Sequence, residues 1–440
     1  MNYPVIGAGI ITLAAILLIK RGADVRLILI LAGLVISSLA GQPWAVFDAF
    51  QKAVGRGDII GPICSAMGFA FVVKKTGCDQ DMVRLLMRPL RKLQWALIPG
   101  GAAIGFVTNM AITSQTAAAA AVGPILVPLL IAAGHSRLAA AATLLVGCSV
   151  GGNLFNPGEP DVVAVHVNAG ADIGHVLGAL AIPNLLSFAV GVIVLSIILY
   201  KKHDHLSSKE SAAVSTEMDR PVSIGRALLV PMPVLILLLL QPSLNLAPAL
   251  FQKYPNGLHV STVMLACSFL VMAVTSMRGS RVDRTHFSDL TASFFDGMGF
   301  GFTKVISLII AASCFIAGLE AVGAIATLTS VFRENLAIAG ILSPILTFGL
   351  AVVSGSGTAP SVAFSQAMLP GLAITDKAQA VILGSFGAIG ASIGRTMSPV
   401  SAIVLFTGTL AEVESSALIK LVTIPMIASL VSVILYGMLF

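Results

Sequence analysis

Long apolar runs, separated by short polar segments, recur along the whole chain. A helix needs roughly 20 mostly apolar residues to cross a bilayer. Runs approaching or reaching that length fall at Val5 to Ile19, Val25 to Ala40, Ile59 to Val73, Ile173 to Tyr200, Ala227 to Leu246, Val260 to Met277, Phe300 to Leu319 and Ala417 to Phe440. Four further stretches have a different texture. The apolar segments 96–133 and 336–374 are interrupted near their middles by small polar residues, TSQT at Thr113 to Thr116 and SGSGT at Ser354 to Thr358. Each is followed by an apolar run that is itself broken, 138–168 around GGNLFNPGEPD and 378–410 around GRTMSP. Irregular backbone at membrane depth is tolerated only where protein buries it or where it lines a cavity. The pattern predicts two re-entrant hairpins and two broken helices, with tips and breaks meeting inside the protein.

The two sets superimpose without a gap at an offset of 242 residues, with Ser356 on Ser114, Thr358 on Thr116, Pro370 on Pro128, Gly394 on Gly152, Pro399 on Pro157 and Pro425 on Pro183. This predicts an internal duplication in which each repeat holds five spans and one hairpin, joined by the polar, charged linker 201–226. An odd number of crossings per repeat turns the second copy over, the inverted-repeat plan of many secondary transporters. The basic first loop (Lys20, Arg21, Arg26) places the N-terminus outside. Every lysine and arginine then falls on the cytoplasmic side except Lys52, Arg56, Lys253, Arg333, Lys377 and the intramembrane Arg395, and both termini come out periplasmic. Cysteines introduced at Ser207 and Asn256 are expected to label from opposite faces. Residues 79–92, with Arg84, Arg88, Arg91 and Lys92 among Met82, Leu85, Leu86, Met87 and Leu90, predict a basic amphipathic helix on the cytoplasmic membrane surface. A short polar segment carries Asp48, Lys52 and Arg56, and 278–296 reads as a charged connection.

Composition sharpens the fold class to an all-α polytopic membrane protein. With 57% hydrophobic and 10% charged residues and a mean hydropathy of +0.96, the chain is too apolar to surface a soluble domain. The net charge of +6 is accounted for by cytoplasmic loops and does not call for nucleic acid as a partner. The first apolar run has its basic residues after it, the reverse of a signal peptide, and is expected to be retained. Five scattered cysteines (Cys64, Cys78, Cys148, Cys267, Cys314) fit small core residues better than a disulfide framework or a metal cluster.

Candidate chemistry concentrates at the tips and breaks. Helix ends exposed by a tip offer N–H groups to carboxylates and C=O groups to a cation, which makes Ser114, Gln115, Thr116, Ser356, Gly357 and Thr358 substrate-binding candidates. Small residues that only ease helix packing are the alternative. Arg395 is the most specific signal, because a charge at mid-span costs about 2.5–3.5 kcal/mol on insertion scales and persists only with a partner or a role. Its guanidinium fork matches a carboxylate, and Thr396, Ser398, Asn153 and Asn156 stand near it or at the matching break; an internal ion pair is the competing role. Glu159 and Asp161, with Thr113, Asn153 and Ser354, are the cation-binding candidates, Na⁺ or H⁺ being the coupling ions considered, while first-turn acids can also simply complement a helix dipole. No cofactor is called for. GCSVG at Gly147 to Gly151 matches a nucleophile elbow by letter but lacks the strand–turn–helix setting and its His and acid partners, so no enzyme is expected. His203, Asp204 and His205 read as a solvated loop rather than a metal site.

At SGSGTAPSVAF, IGRTMSPVS and AASCFIAGLEAVG the chain resembles the anaerobic C4-dicarboxylate carriers of the DcuC type, within the ion-transporter superfamily. The likeness is strongest over 300–440, extends in order over most of the chain, and departs from the family at TSQT and PGEPD. It implies symport or antiport of succinate, fumarate, malate or aspartate across the bacterial inner membrane. The superfamily implies a homodimer working by an elevator motion, with residues 1–94 and 227–335 as scaffold and 95–200 and 336–440 as the moving transport parts. A transporter of another small carboxylate, or a passive anion channel, is the alternative; uphill accumulation in vesicles separates carrier from channel.

Overall fold

The computed structural model describes residues 3–88, 96–201, 222–240, 246–248, 258–278 and 281–439. The linker residues His203, Asp204, His205 and Ser207, the positions Arg91, Lys92 and Asn256, and most of the linker itself lie outside the described residues. Nearly all of the described chain is helical. The one sheet among the described residues is an antiparallel ribbon of Met277–Arg278 with Arg281–Val282. Among the described residues six helices are long and apolar enough to cross a membrane, and shorter apolar helices accompany them. Outward aliphatic side chains such as Ile10 and Leu13, each 64% exposed, suit a lipid solvent rather than water. All five cysteines are free and buried, as small core residues should be.

The chain begins with α1 (Tyr3–Lys20), α2 (Val25–Leu39), α3 (Trp44–Val54), α4 (Gly57–Thr76) and α5 (Cys78–Met87). Then come α6 (Leu97–Ala111), α7 (Gln115–Ala132), α8 (Arg137–Ser149), α9 (Pro160–Ala169) and α10 (Ile173–Lys201). Past the linker stand α11 (Ile224–Leu229), α12 (Met232–Leu239), α13 (Val260–Ser276), α14 (Arg284–Gly301), α15 (Ser307–Ala321) and α16 (Ala324–Glu334). The last five are α17 (Leu336–Ser354), α18 (Thr358–Ala373), α19 (Lys377–Thr396), α20 (Ala402–Leu410) and α21 (Ser415–Gly437), in the same order as α6 to α10. Short polar side chains start many of them by accepting otherwise orphaned N–H groups. Asp24 accepts from Arg26 at 2.9 Å, Ser136 from Ala139 at 3.1 Å and Asp376 from Gln379 at 3.1 Å.

Four segments differ from the sequence expectation. The described part of 79–92 is not a helix with its charges outward: α5 buries Asp79 and Asp81 along with Met82, Val83 and Met87, pairs Arg84 with Asp81, and packs on α6, α7 and α11. The polar stretch before residue 57 is a helix, α3, which buries Val46 and Ala53 while exposing Trp44, Phe47 and Phe50; its 11 residues are too few to register as a span. The charged connection 278–296 is mostly helix as well. Asp283 caps α14 through the His286 N–H at 3.1 Å, and Arg284, Asp289 and Asp296 face outward while Leu290 and Phe294 are buried. That helix runs through a π-helical turn, Phe302–Ile306, into α15. Conversely, the span from Ala227 is not continuous: α11 and α12 are separated at Val230 and Pro231, and a proline there, with another at Pro233, supplies no N–H to carry the first helix onward.

Packing sorts the helices into two neighbourhoods. In one, α2 and α3 pack on α15, and α4 packs on α13 and α14. In the other, α6 packs on α7 and α8, α19 packs on α17 and α18, and α10 packs on α19 and α21. Between them, α9 touches α4, α5 touches α6 and α7, and α15 touches α18. Within the second neighbourhood Ser429 Oγ on α21 donates to the Ser187 carbonyl on α10 at 2.8 Å, joining positions 242 residues apart. The segments after α9 and α20 match as well, for both carry a positive φ, Gly170 at 60° and Glu412 at 54°.

Candidate functional site

Both hairpin tips are built by the same local device. Ser114 Oγ accepts the Ala117 N–H at 3.3 Å and Ser356 Oγ accepts the Ala359 N–H at 3.1 Å, so each serine starts the second arm of its hairpin. Gln115 and Thr358 are the first residues of those arms and, like Thr116, are partly exposed. Helix-start N–H groups therefore face the tips. Thr113 is buried with its Oγ1 unpartnered, whereas Ser354 Oγ pairs within its own tip with the Ser356 N–H and carbonyl, both at 3.3 Å.

The first break is a shaped loop. α8 stops at Ser149, a 3₁₀ turn covers Gly152–Phe155, and α9 resumes at Pro160. Gly151 has φ +76°, a conformation that side chains other than glycine rarely adopt, and the turn depends on it. Hydrogen bonds then fix the loop on every side. The Asn153 N–H donates to Asn109 Oδ1 at 3.0 Å, and Asn109 Nδ2 donates to the Ile112 carbonyl at 3.0 Å beside the first tip. Asn156 spends its whole amide on backbone, Nδ2 to the Met110 carbonyl and Oδ1 from the Gly158 N–H, both at 2.9 Å. Asn184, from α10, donates to the Gly151 carbonyl at 2.7 Å.

Onto this loop come the charges. Asn153 Nδ2 donates to Glu159 Oε1 at 2.6 Å, and Glu159 makes no side-chain cap on its own helix. Glu159 and Asp161 are neighbours, 2% and 1% exposed, and Ser361 of α18 lies beside Asp161. Arg395, near the end of α19, is 5% exposed and within electrostatic reach of both carboxylates, yet its Nη2 donates elsewhere, to the Ser149 carbonyl at 2.7 Å. That bond caps the C-terminal end of α8 with a cation, the favourable sign for a helix C-terminus. Its Nη1 rests against the second tip, 2.7 Å from where a Cβ on Gly357 would stand, and its Nε has no partner. Thr396 Oγ1 lies 2.8 Å from Ser149 Oγ and 2.9 Å from the Ser392 carbonyl, and the buried Ser398 Oγ accepts only a long bond, 3.4 Å, from the Val400 N–H.

These contacts bring Asn153, Glu159, Asp161 and Arg395 together with the second tip, and the unmet hydrogen bonds there say what the cluster can receive. Asn153 Oδ1, Glu159 Oε2, Asp161 Oδ1 and Ser401 Oγ are buried without partners, as is Thr113 Oγ1. Each unmet buried group costs about 1–3 kcal/mol, more when charged; three of these five atoms lie at the first break and the start of α9, Thr113 lies at the first tip and Ser401 at the second break. An oxygen-rich, acceptor-dominated set of this kind fits a hard cation or a proton; the unpartnered Nε of Arg395 fits an anion. Ser149, Ser392, Asn109, Asn184 and Ser361 were not singled out from sequence. Asn184, a lone amide beside Pro183 within an apolar helix, carried the one signal that was there to be read.

The chain is similar to known proteins over most of its length. Residues 45–440 match the family described as C4-dicarboxylate anaerobic carrier, DcuC. The anaerobic C4-dicarboxylate transporter DcuC of Escherichia coli strain K12 is 25% identical over 386 residues, covering 86% of this chain and 80% of that one. An uncharacterized transporter of Haemophilus influenzae is 44% identical over 122 residues, 28% of this chain and 84% of its own length. Among solved structures, Neisseria gonorrhoeae MtrF, presented within a class of antimetabolite efflux pumps, superimposes with a TM-score of 0.63 over 94% of both chains at 14% identity. That last likeness is one of fold.

Proposed function

We propose, from the premise that the chain belongs to the C4-dicarboxylate anaerobic carrier family, that it moves C4-dicarboxylates across the bacterial inner membrane by secondary active transport. The observation that carries the reading is Arg395, buried and half-used, set between the second hairpin tip and a pair of buried carboxylates. A dianion supplies what Arg395 lacks: one carboxylate accepts from its free guanidinium edge, while the other reaches the helix-start N–H groups at Gln115, Thr116 and Thr358. Succinate, fumarate, malate and aspartate all present two such groups.

Glu159 and Asp161 would repel that dianion, and a cation or proton among Thr113, Asn153, Glu159 and Asp161 removes the repulsion. Binding of the two is then cooperative. Na⁺ would be held there by the oxygens already lacking partners. The two helix neighbourhoods support an elevator, in which 95–200 and 336–440 move together against 1–94 and 227–335. The constant offset and the shared helix order support an inverted repeat with both termini periplasmic, and the family's larger superfamily suggests a homodimer.

Purified protein in sealed vesicles tests the reading. Labelled succinate should accumulate above its external concentration under an imposed Na⁺ or pH gradient, or exchange against internal fumarate. Equilibration without accumulation or exchange, at a rate that does not saturate, would identify a passive anion channel instead.

A further inference from the structure

Arg395 and the Glu159–Asp161 pair belong to opposite halves of the chain, and one hydroxyl bridges them. Ser392, a single helical turn before Arg395 on α19, is 2% exposed and fully engaged. Its Oγ accepts the Gly151 N–H at 2.9 Å and donates to the Ser149 carbonyl at 2.9 Å. Arg395 Nη2 donates to that same carbonyl and lies 3.4 Å from the Ser392 hydroxyl. Gly151 opens the turn carrying Asn153, and Asn153 holds Glu159. The sequence of contacts is therefore continuous from guanidinium to carboxylate: Arg395, Ser149, Ser392, Gly151, Asn153, Glu159.

We infer that Ser392 is a positioning residue that couples the anion and cation parts of the site, by making the pose of Arg395 depend on the shape of the first break. The coupling follows from shared acceptors. A substrate carboxylate that draws Arg395 toward its free edge loosens the guanidinium from the Ser149 carbonyl. The Ser392 hydroxyl and, at 3.2 Å, the Gly151 N–H are then left as that carbonyl's donors, and the peptide bearing the Gly151 N–H moves with them. Asn184 holds the Gly151 carbonyl, on the next peptide unit, so the shift is passed along the turn to Asn153 rather than lost in slack backbone. At the 242 offset Ser392 falls on Val150, which has no hydroxyl, so the bridge runs through one half only.

This inference rests on the coupled dicarboxylate reading, and equilibrium binding separates the two. Succinate affinity is measured on purified wild type, Ser392→Ala and Ser392→Thr, each with and without saturating Na⁺ and at two pH values, alongside thermal unfolding. In wild type the cation should raise affinity, coupling factors being typically 5–150-fold. Ser392→Ala should bring that factor close to one while changing cation-free affinity far less, and Ser392→Thr, which restores a hydroxyl, should recover it. An unchanged coupling factor in a stable Ser392→Ala, or an equal loss of affinity with and without cation, overturns the inference alone. A wild type in which neither Na⁺ nor protons alter succinate affinity overturns the coupled reading and this inference with it.

Discussion

The breaks at 150–159 and 397–401 stand at equivalent positions of the two halves and have diverged in opposite electrical directions. In the first, the helix ends at Ser149, ten residues of loop follow, and the next helix opens with Glu159 and Asp161. In the second, the helix runs on to Thr396, brings Arg395 to the position where the first half has Asn153, and resumes after Ser401. Where the first half has its two acids, the second has Ser401 and Ile403. In the reading proposed above, the first break takes the cation and the second the dianion, so each half supplies one charge sign to a shared site.

Orientation gives the sharpest test of that comparison. Single cysteines at Ala133 and Thr375, which correspond at the 242 offset and lie at the ends of their hairpins, should react with an impermeant thiol reagent from opposite faces, all or none. Reaction from the same face would leave two parallel copies, and the charge-sign argument would lose its geometry. Next in size is Arg395. Arg395→Gln should weaken dicarboxylate binding by about 10- to 150-fold, the equivalent of a charge-assisted bond worth roughly 1.5–3 kcal/mol, and Arg395→Lys should fall between it and wild type, because an ammonium can still cap Ser149 but cannot present a fork. Calorimetric titration of folded variants reads this directly, and wild-type affinity in Arg395→Gln would reduce the arginine to a helix cap. On the acidic side, Asp161→Asn should flatten the cation dependence of uptake several-fold while lowering maximal transport less. A wild-type cation response in that variant would return Glu159 and Asp161 to complementing the dipole of α9.

The smallest effect concerns the ends of α9 and α20. Gly170 takes its positive φ without strain; Glu412, its counterpart, does not, and left-handed backbone costs a non-glycine residue about 1–2 kcal/mol. Glu412 is held by an ion pair with Arg137 of the other half, with side chains 75% and 39% exposed, and exposed pairs contribute about 0.2–1 kcal/mol. Glu412→Gly should therefore leave stability within about 1 kcal/mol of wild type, read as a thermal midpoint that barely moves. A large drop would mean that the bridge between halves matters more than its exposure suggests.

What was legible in the sequence was whatever is periodic or covalently local. Apolar run lengths located the helices around both hairpins to within a few residues, and the polar interruptions located the tips, because a serine there can accept the orphaned N–H groups at the start of the next helix. Amphipathic helices were harder. α3 and α14 carry enough charge to look like connections, and only their burial pattern shows that one face is packed. The cross-half lattice was hidden for a different reason: Ser149, Ser392 and Asn184 acquire meaning from partners more than 30 residues away, and a lone serine in an apolar helix usually bonds its own preceding turn. Asn156 illustrates the converse. Its residue type and place suggested substrate, and its amide is bonded at both ends to backbone.

The hydrogen bond between Ser429 and Ser187 joins a position to its own copy. In two identical subunits related by a two-fold axis, such a contact lies on the axis, and any substitution there changes both sides at once. A single chain is free of that constraint, and the pair is unequal: the Ser429 hydroxyl donates across to the Ser187 backbone, while the Ser187 hydroxyl is buried without a partner. Two corresponding serines thus do different work, just as Asn153 and Arg395 differ at the same offset.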